Sequence, residues 1–205
     1  MSPGRYRLRR YQELDAEQQL LYNRIVSGPR HSQKGQAPLT DETGALLGPF
    51  GLMTIAPAVG DPIQQVGAAL RFSTGLSPLV REAAVLLVAA HHRSDFEWSS
   101  HAGLARAAGL GEAALTALGG GEVPGSLDSE DAYALQTVQT LLISGSLGDD
   151  HYHDAVARLG ERTVAELVWL CGYYSMLALA LAVFDPPRPL ESEAPPWPRT
   201  GGEDL

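Results

Sequence analysis

The sequence contains almost no cysteine: Cys171 is the only one in 205 residues. A single cysteine excludes an intramolecular disulfide, a Cys-x-x-Cys redox pair and a cysteine-rich metal site. Residues 1–20 also lack the apolar run and the small-residue cleavage site of a secretory signal. We therefore expect a cytoplasmic protein.

Positive charge is also scarce, since 15 Lys and Arg stand against 24 Asp and Glu and give a formal net charge of -9. A nonspecific nucleic-acid binder needs a concentrated basic surface. The arginines within residues 5–10 are better explained as a solvated terminal segment. Hydrophobic residues make up 44% and charged residues 19% of the chain, which is ordinary globular usage. The sequence predicts a folded domain without a nucleic-acid partner.

Long apolar runs are absent except for one, "LVWLCGYYSMLALALAVF" at residues 167–184. Its length is near the lower limit for a membrane helix. However, Glu166 and Asp185 bound the run, and no cluster of Lys or Arg flanks it. A helix that is apolar all round also occurs in a protein core or an oligomer interface. We interpret it as a buried helix and predict no membrane partner.

Alternating strand patterns are scarce and helical periodicity recurs, so the sequence predicts an all-α fold. The prolines after residue 185 exclude a further helix there. We expect an N-terminal helix and loop over 1–47, a helical domain over 48–187 and a Pro-rich tail over 188–205. The predicted helices span 15–26, a short stretch between Pro49 and Pro57, 61–72 with Asp61-Pro62 as its start, 78–92 after Ser77, 94–108 with Gly109 as its stop, 129–144, 150–159 and 163–184, and a glycine-rich turn lies at 119–121.

The segment "HHRSDFEWSSH" at residues 91–101 holds the candidate chemistry. Glu97 and His101 are four residues apart, which places them on one face of a helix. Glu82, one helix earlier, can approach them if the two helices pack antiparallel. A carboxylate beside an imidazole is a usable general acid/base pair. The structural alternative is a capping box, in which Ser94 and Glu97 only start the helix.

Glu97 and His101 also have metal-ligand spacing, with Glu82 or a second histidine as a third ligand. The stronger helical zinc signature, His-Glu-x-x-His, is absent from the sequence. We predict no metal site.

With these residues in place, the sequence resembles the carboxymuconolactone decarboxylase family, which also contains alkylhydroperoxidase D. The resemblance covers about residues 48–187. It is carried by "GPFGLM", "ALRFSTGLSPLVREAAVLLVAAHHRSDFEWSSHAGLARAAGL" and "AELVWLCGYYSML". It implies an alkylhydroperoxidase D-like helical fold that assembles as a homotrimer or homohexamer.

The peroxidase branch of this family uses a Cys-x-x-Cys pair with a glutamate and a histidine as a proton relay. Here the two cysteine positions correspond to Ser94 and Glu97, while Glu82 and His101 match the relay. Thiol exchange needs two thiols. The resemblance therefore points to the decarboxylase-like branch and away from a thiol peroxidase.

The resemblance implies a lyase that decarboxylates a small unsaturated carboxylate or lactone without a metal or organic cofactor. Such chemistry needs a carboxylate anchor, an apolar pocket and an acid that protonates carbon. His101 is the expected proton donor, with Glu97 as its partner and Glu82 as a third catalytic residue. The candidate substrate-binding residues are Arg71, Arg81 and Arg93 as carboxylate anchors, with His91, Trp98, Phe50, Phe72 and Tyr173 around the pocket.

Several readings stay open at this point. A fold can host many chemistries, so an isomerase or cyclase of a secondary metabolite on the same fold is an alternative. A noncatalytic ligand-binding protein or an oligomeric scaffold is another. Each arginine can also be a solvated helix-end charge, and each aromatic residue can be core.

Overall fold

The regular structure of this protein is helical. The computed structural model describes residues 4–29, 38–187 and 194–197. These residues form nine α-helices and no β-strand, apart from one isolated bridge between Thr40 and Leu46. The predicted all-α class is confirmed. The helices are α1 Ala16–Val26, α2 Gly48–Met53, α3 Pro57–Phe72, α4 Pro78–His92, α5 Asp95–Ala107, α6 Glu112–Gly119, α7 Ser129–Ser144, α8 Asp149–Leu159 and α9 Glu161–Phe184.

Helix α4 is the centre of the fold and packs against α5, α6, α7 and α9. Residues 83–89 of this helix are all buried. A helix that is apolar on every side can bury all of its faces only if neighbours surround it. The sequence pattern of α4 therefore explains its central position, and it carries Glu82 into the interior.

Local sequence signals explain how α4 and α5 are bounded. The Ser77 hydroxyl accepts a hydrogen bond from the backbone N–H of Val80, and Pro78 occupies the first turn, as predicted. After α5, Gly109 has a φ of +106°, which glycine adopts without the steric penalty of a side chain. These signals fix the positions of the two helices that carry the candidate residues.

Two helix predictions need correction. Asp61-Pro62 does not begin α3, because the helix starts at Pro57 and includes Pro62. The extra turn packs onto α2, because a Cβ at Gly60 would collide with the carbonyl oxygen of Met53. This close packing holds the first turn in place although Pro62 lacks an N–H. Helix α6 was not predicted, because its eight residues are short for a periodicity signal.

The start of α2 approaches α5 closely. Gly48 has a φ of +54°, and a Cβ there would collide with the outer edge of the Phe96 ring. This contact places the segment that precedes α2 over the N-terminal half of α5. Leu39 lies in the same segment, since its carbonyl accepts a hydrogen bond from the Leu47 N–H.

Helix α9 has one buried and one exposed apolar face. It is long and apolar enough to cross a membrane by length and composition, and 44% of its most apolar window is buried inside the protein. Length and apolarity do not separate a membrane span from the core helix of a soluble protein. Exposed apolar side chains nevertheless follow one side of the helix: Val168, Trp169, Met176, Leu179 and Val183.

Of the predicted tail at 188–205, residues 188–193 and 198–205 lie outside the described residues. Within 194–197, Trp197 is buried edge-to-face against Trp98, with ring centroids 5.3 Å apart. Its indole N–H donates to the Asp95 carboxylate at 2.8 Å. This part of the tail therefore packs on α5 of its own chain.

Candidate acid–base site

Helices α4 and α5 bring Glu82 and His101 into contact. The two helices are joined by Arg93 and Ser94 and pack against each other. Arg93 adopts the left-handed conformation, with φ 51° and ψ 42°, which ends α4. The predicted approach of Glu82 to the residues of α5 is thus present in the structure.

His101 lies between two buried carboxyl groups. Its Nδ1 is 2.7 Å from Oε2 of Glu82, and its Nε2 is 3.7 Å from Oε2 of Glu97. The first distance is a hydrogen bond and the second is too long for one. Since an ionised carboxylate only accepts, Nδ1 donates to Glu82 and Nε2 faces Glu97. The three side chains form a line in which Glu82, not Glu97, is the direct partner of His101.

Glu82 is held in its ionised form. Burial alone would raise its pKa, but the hydrogen bond from His101 and the charges of His101, Arg81 and Arg71 together lower the pKa below the ordinary value. Arg81 binds the second oxygen, with its Nε 3.1 Å from Oε1. Arg81 therefore stabilises Glu82 and does not border the cavity described below.

The environment of Glu97 raises its pKa, whereas that of Glu82 lowers it. Burial raises its pKa to about 7, although the charges of His101 and Arg71 act to lower it. Its Oε1 has no hydrogen-bond partner among the described residues. A buried oxygen without a partner is costly, and the neutral acid form reduces that cost. Glu97 can therefore hold or release a proton near neutral pH.

The capping-box alternative for Glu97 is wrong. Ser94 is the N-cap residue of α5, but no side chain caps this helix terminus. The Ser94 hydroxyl has no hydrogen-bond partner among the described residues. Glu97 instead points into the interior toward His101, so it does not serve the helix start.

A cavity of about 50 Å³ borders Glu97 and His101. This is room for a few water molecules or for the reacting end of a small ligand. Arg71 from α3 contributes a positive charge to its wall. The described lining residues are Pro38, Leu39, Pro49, Phe50, Gly67, Arg71, Phe96, Glu97, Ser100, His101, Tyr173, Tyr174 and Leu177.

Two tyrosines of α9 close one side of the cavity. The Tyr174 ring meets the His101 ring edge-to-face, with centroids 5.2 Å apart, and Tyr173 packs on Tyr174 in the same way. Burial, followed by the nearby Glu97, raises the pKa of Tyr174 well above its ordinary value. Tyr174 therefore stays a neutral phenol and adds no charge to the site. Its ring contact helps to hold the imidazole of His101 in place.

The structure brings some of the predicted site residues to this cavity and leaves others elsewhere. Glu97, His101, Arg71, Phe50 and Tyr173 border it. Glu82 lies behind His101 and bonds to it, and Arg81, predicted as a carboxylate anchor, bonds to Glu82 instead. Four others do not reach it. Phe72 is 36% exposed, Trp98 packs on Trp197, and His91 and Arg93 border a different cavity.

Helix geometry explains why these four residues do not reach the cavity. Phe72 ends α3, where its side chain points outward beside Arg71. Trp98 follows Glu97 directly, so it occupies a different face of α5. His91 and Arg93 lie at the C-terminal end of α4, well over one helical turn beyond Glu82.

Several lining residues were not predicted. Phe96 and Ser100 are four residues apart and therefore share one side of α5, but spacing alone does not tell whether that side or the side of Trp98 faces the cavity. Leu39 and Pro38 come from the segment before α2, and no periodicity marks their approach to the cavity.

Cys171 cannot supply a reactive thiolate in this environment. The side chain is buried in α9, and burial raises the pKa of its thiol to about 12. Among residues 4–29, 38–187 and 194–197, no group of three or more His, Cys, Asp or Glu side chains has an arrangement that could hold a metal ion.

Comparison with known proteins adds no assignment, because the sequence matches no protein-family model and no curated protein.

Proposed function

We propose that this protein is a cofactor-independent acid–base enzyme of the carboxymuconolactone decarboxylase type. Its substrate is a small unsaturated carboxylate or lactone, and its reaction is proton transfer coupled to loss of carbon dioxide. The observation that carries the proposal is the line Glu82–His101–Glu97 beside a cavity that also contains Arg71. The reaction type is taken from the family that residues 48–187 resemble, through motifs that include these same residues.

In this proposal Glu97 is the proton donor. A general acid is most effective when its pKa is close to the working pH, and the pKa of Glu97 is about 7. The Oε1 atom of Glu97, which lacks a partner among the described residues, is available to a ligand in the cavity. Glu97 therefore takes the role that the sequence suggested for His101.

His101 and Glu82 position and recharge that donor. The carboxylate of Glu82 holds Nδ1 of the imidazole, so that Nε2 faces Glu97. After Glu97 has released its proton to the substrate, Nε2 of His101 can take up a proton from water and pass it to the Glu97 carboxylate. Arg71 anchors the carboxylate of the substrate, since its planar guanidinium suits that group.

An isomerase is the second candidate, and the same pKa favours it. A group that titrates near neutral pH can accept a proton at one carbon and return it at another. The two candidates share the site and differ in whether the product has lost mass.

We further propose that the protein assembles as a homo-oligomer, a trimer or a hexamer, in the cytoplasm. The exposed apolar side of α9 supports assembly, because monomeric proteins seldom expose a long apolar stripe.

The proposed function is tested by mass spectrometry of products. The purified protein is incubated with carboxymuconolactone and with a panel of unsaturated carboxylates and lactones. We expect loss of carbon dioxide from one of them, and a loss of activity of at least about a hundredfold in Glu97→Gln and His101→Gln. His92→Gln is the matched control, since His92 lies on α4, bonds to Ser175 and does not border the cavity.

A product of unchanged mass would assign the isomerase. Absence of any product, or full activity in both Glu97→Gln and His101→Gln, would contradict an enzyme at this site.

A further inference from the structure

A second cavity of about 460 Å³ lies between the C-terminal end of α4, the α6–α7 connection and α7. It is larger than the cavity beside His101, and its size is that of a site for a small organic molecule. None of the residues in the proposed acid–base line borders it.

Basic and apolar side chains line different parts of this cavity. One end carries His91 and Arg93, and no Asp or Glu is among the described lining residues. In a chain with a net charge of -9, a cavity that has Arg93 beside His91 and no carboxylate in its described lining favours a negative ligand. Arg93 is fixed in the left-handed conformation at the end of α4, so the backbone that carries its guanidinium is well defined.

The rest of the wall combines apolar side chains with one polar side chain, which suits a flat organic molecule. Leu142 and Ile143 of α7 line it, and the buried Trp197 forms part of the floor. Gln139 donates its side-chain amide to the carbonyl of Gly121 at 2.6 Å, which fixes the amide in the wall. Ligand sites combine an apolar surface with a few placed polar groups in this manner.

We propose that this cavity binds a small carboxylate with a planar apolar body. The carboxylate lies between His91 and Arg93, and the apolar body lies against Leu142, Ile143 and Trp197. This site is separate from the acid–base site and does not depend on the proposed function.

The test is isothermal titration calorimetry with 2-naphthoate and with its neutral counterpart, 2-naphthamide. We expect saturable binding of 2-naphthoate and at least about tenfold weaker binding of the amide, since a charge-assisted hydrogen bond is lost. Arg93→Asn should weaken binding of 2-naphthoate by a similar factor, and asparagine tolerates the left-handed conformation. Ile143→Asp, at a residue that is 73% exposed, should weaken it independently by placing a like charge at the cavity.

Two controls separate this site from others. Arg10→Asn removes the same charge from the exposed N-terminal segment and should leave binding unchanged. His101→Gln alters the first cavity and should also leave binding unchanged. The proposal is overturned if 2-naphthoate does not bind at about 10 mM, if the amide binds equally well, or if binding depends on His101 and not on Arg93.

Discussion

At the scale of single residues, the environment of Glu97 decides the chemistry of the site. Glu82 and Glu97 are both buried carboxyl groups beside one imidazole. Arg81 and the hydrogen bond from His101 keep Glu82 ionised, whereas Glu97 has no hydrogen bond to its Oε1 among the described residues. Because their pKa values are shifted in opposite directions, one carboxyl group can serve as a fixed charge and the other as a proton carrier.

The raised pKa of Glu97 makes a prediction about stability. Between the ordinary value of 4.5 and the folded value of about 7, the unfolded chain has released this proton and the folded chain has not. The contribution of Glu97 to the free energy of unfolding is therefore largest below pH 4.5, and it is lost as the pH rises through about 7. Glu97→Gln removes this dependence, so its stability relative to the wild type should rise by about 3 kcal/mol across that window.

The measurement is urea unfolding of both proteins at a series of pH values, with Glu112→Gln as control. Glu112 is exposed, and its hydrogen bond from Arg106 lowers its pKa. The control should show no gain in relative stability as the pH rises. A constant difference between Glu97→Gln and the wild type over the whole window would show that Glu97 is already ionised in the folded protein.

At the scale of helices, the sequence predicted eight of the nine α-helices of the described residues and where several of them begin. Ser77-Pro78 and Asp15 cap their helices because the capping contacts are local in sequence. Asp61-Pro62 failed as a start because the packing of Gly60 on Met53 extends α3 backward. Long-range packing of this kind leaves no local signal.

In the candidate site, too, features set by local spacing could be predicted and features set by long-range packing could not. Glu97 and His101 could be predicted from their spacing, and Glu82 from the antiparallel packing of two neighbouring helices. The division of roles between the two glutamates could not, since it depends on Arg81, on burial and on which oxygen has a partner. The contribution of Leu39 depends on the folding of the segment before α2 over α5.

The exposed side of α9 predicts assembly through this helix. Trp169 is 68% exposed and Leu179 66% exposed, and a charge on this side should oppose burial in a subunit contact. Light scattering at micromolar protein should therefore give a trimer or hexamer for the wild type and smaller species for Trp169→Glu. Tyr152→Glu is the matched control, because Tyr152 is an exposed aromatic residue of α8.

A wild-type protein that is monomeric under these conditions would contradict assembly. An oligomer of unchanged size in Trp169→Glu would place the contact on another surface.

At the scale of the whole molecule, the fold separates two environments along α4. The cavity beside Glu97 is small, bordered by both acidic and basic groups, and lies against α9. The cavity beside Arg93 is larger, has only basic side chains among its described charged lining, and lies against α7. Because α4 is packed on all sides, the two cavities are held by one rigid core.

The central claim is that Glu97 exchanges a proton with the substrate near neutral pH. The most direct test is the pH dependence of kcat/KM, measured with the substrate from the product screen, since this profile reports ionisations of the free enzyme. The proposed acid role predicts that kcat/KM of the wild type falls as the pH rises through about 7, and that Glu97→Gln lacks this fall in its residual activity. A wild-type profile that is flat between about pH 6 and 8, or the same fall in Glu97→Gln, would contradict it.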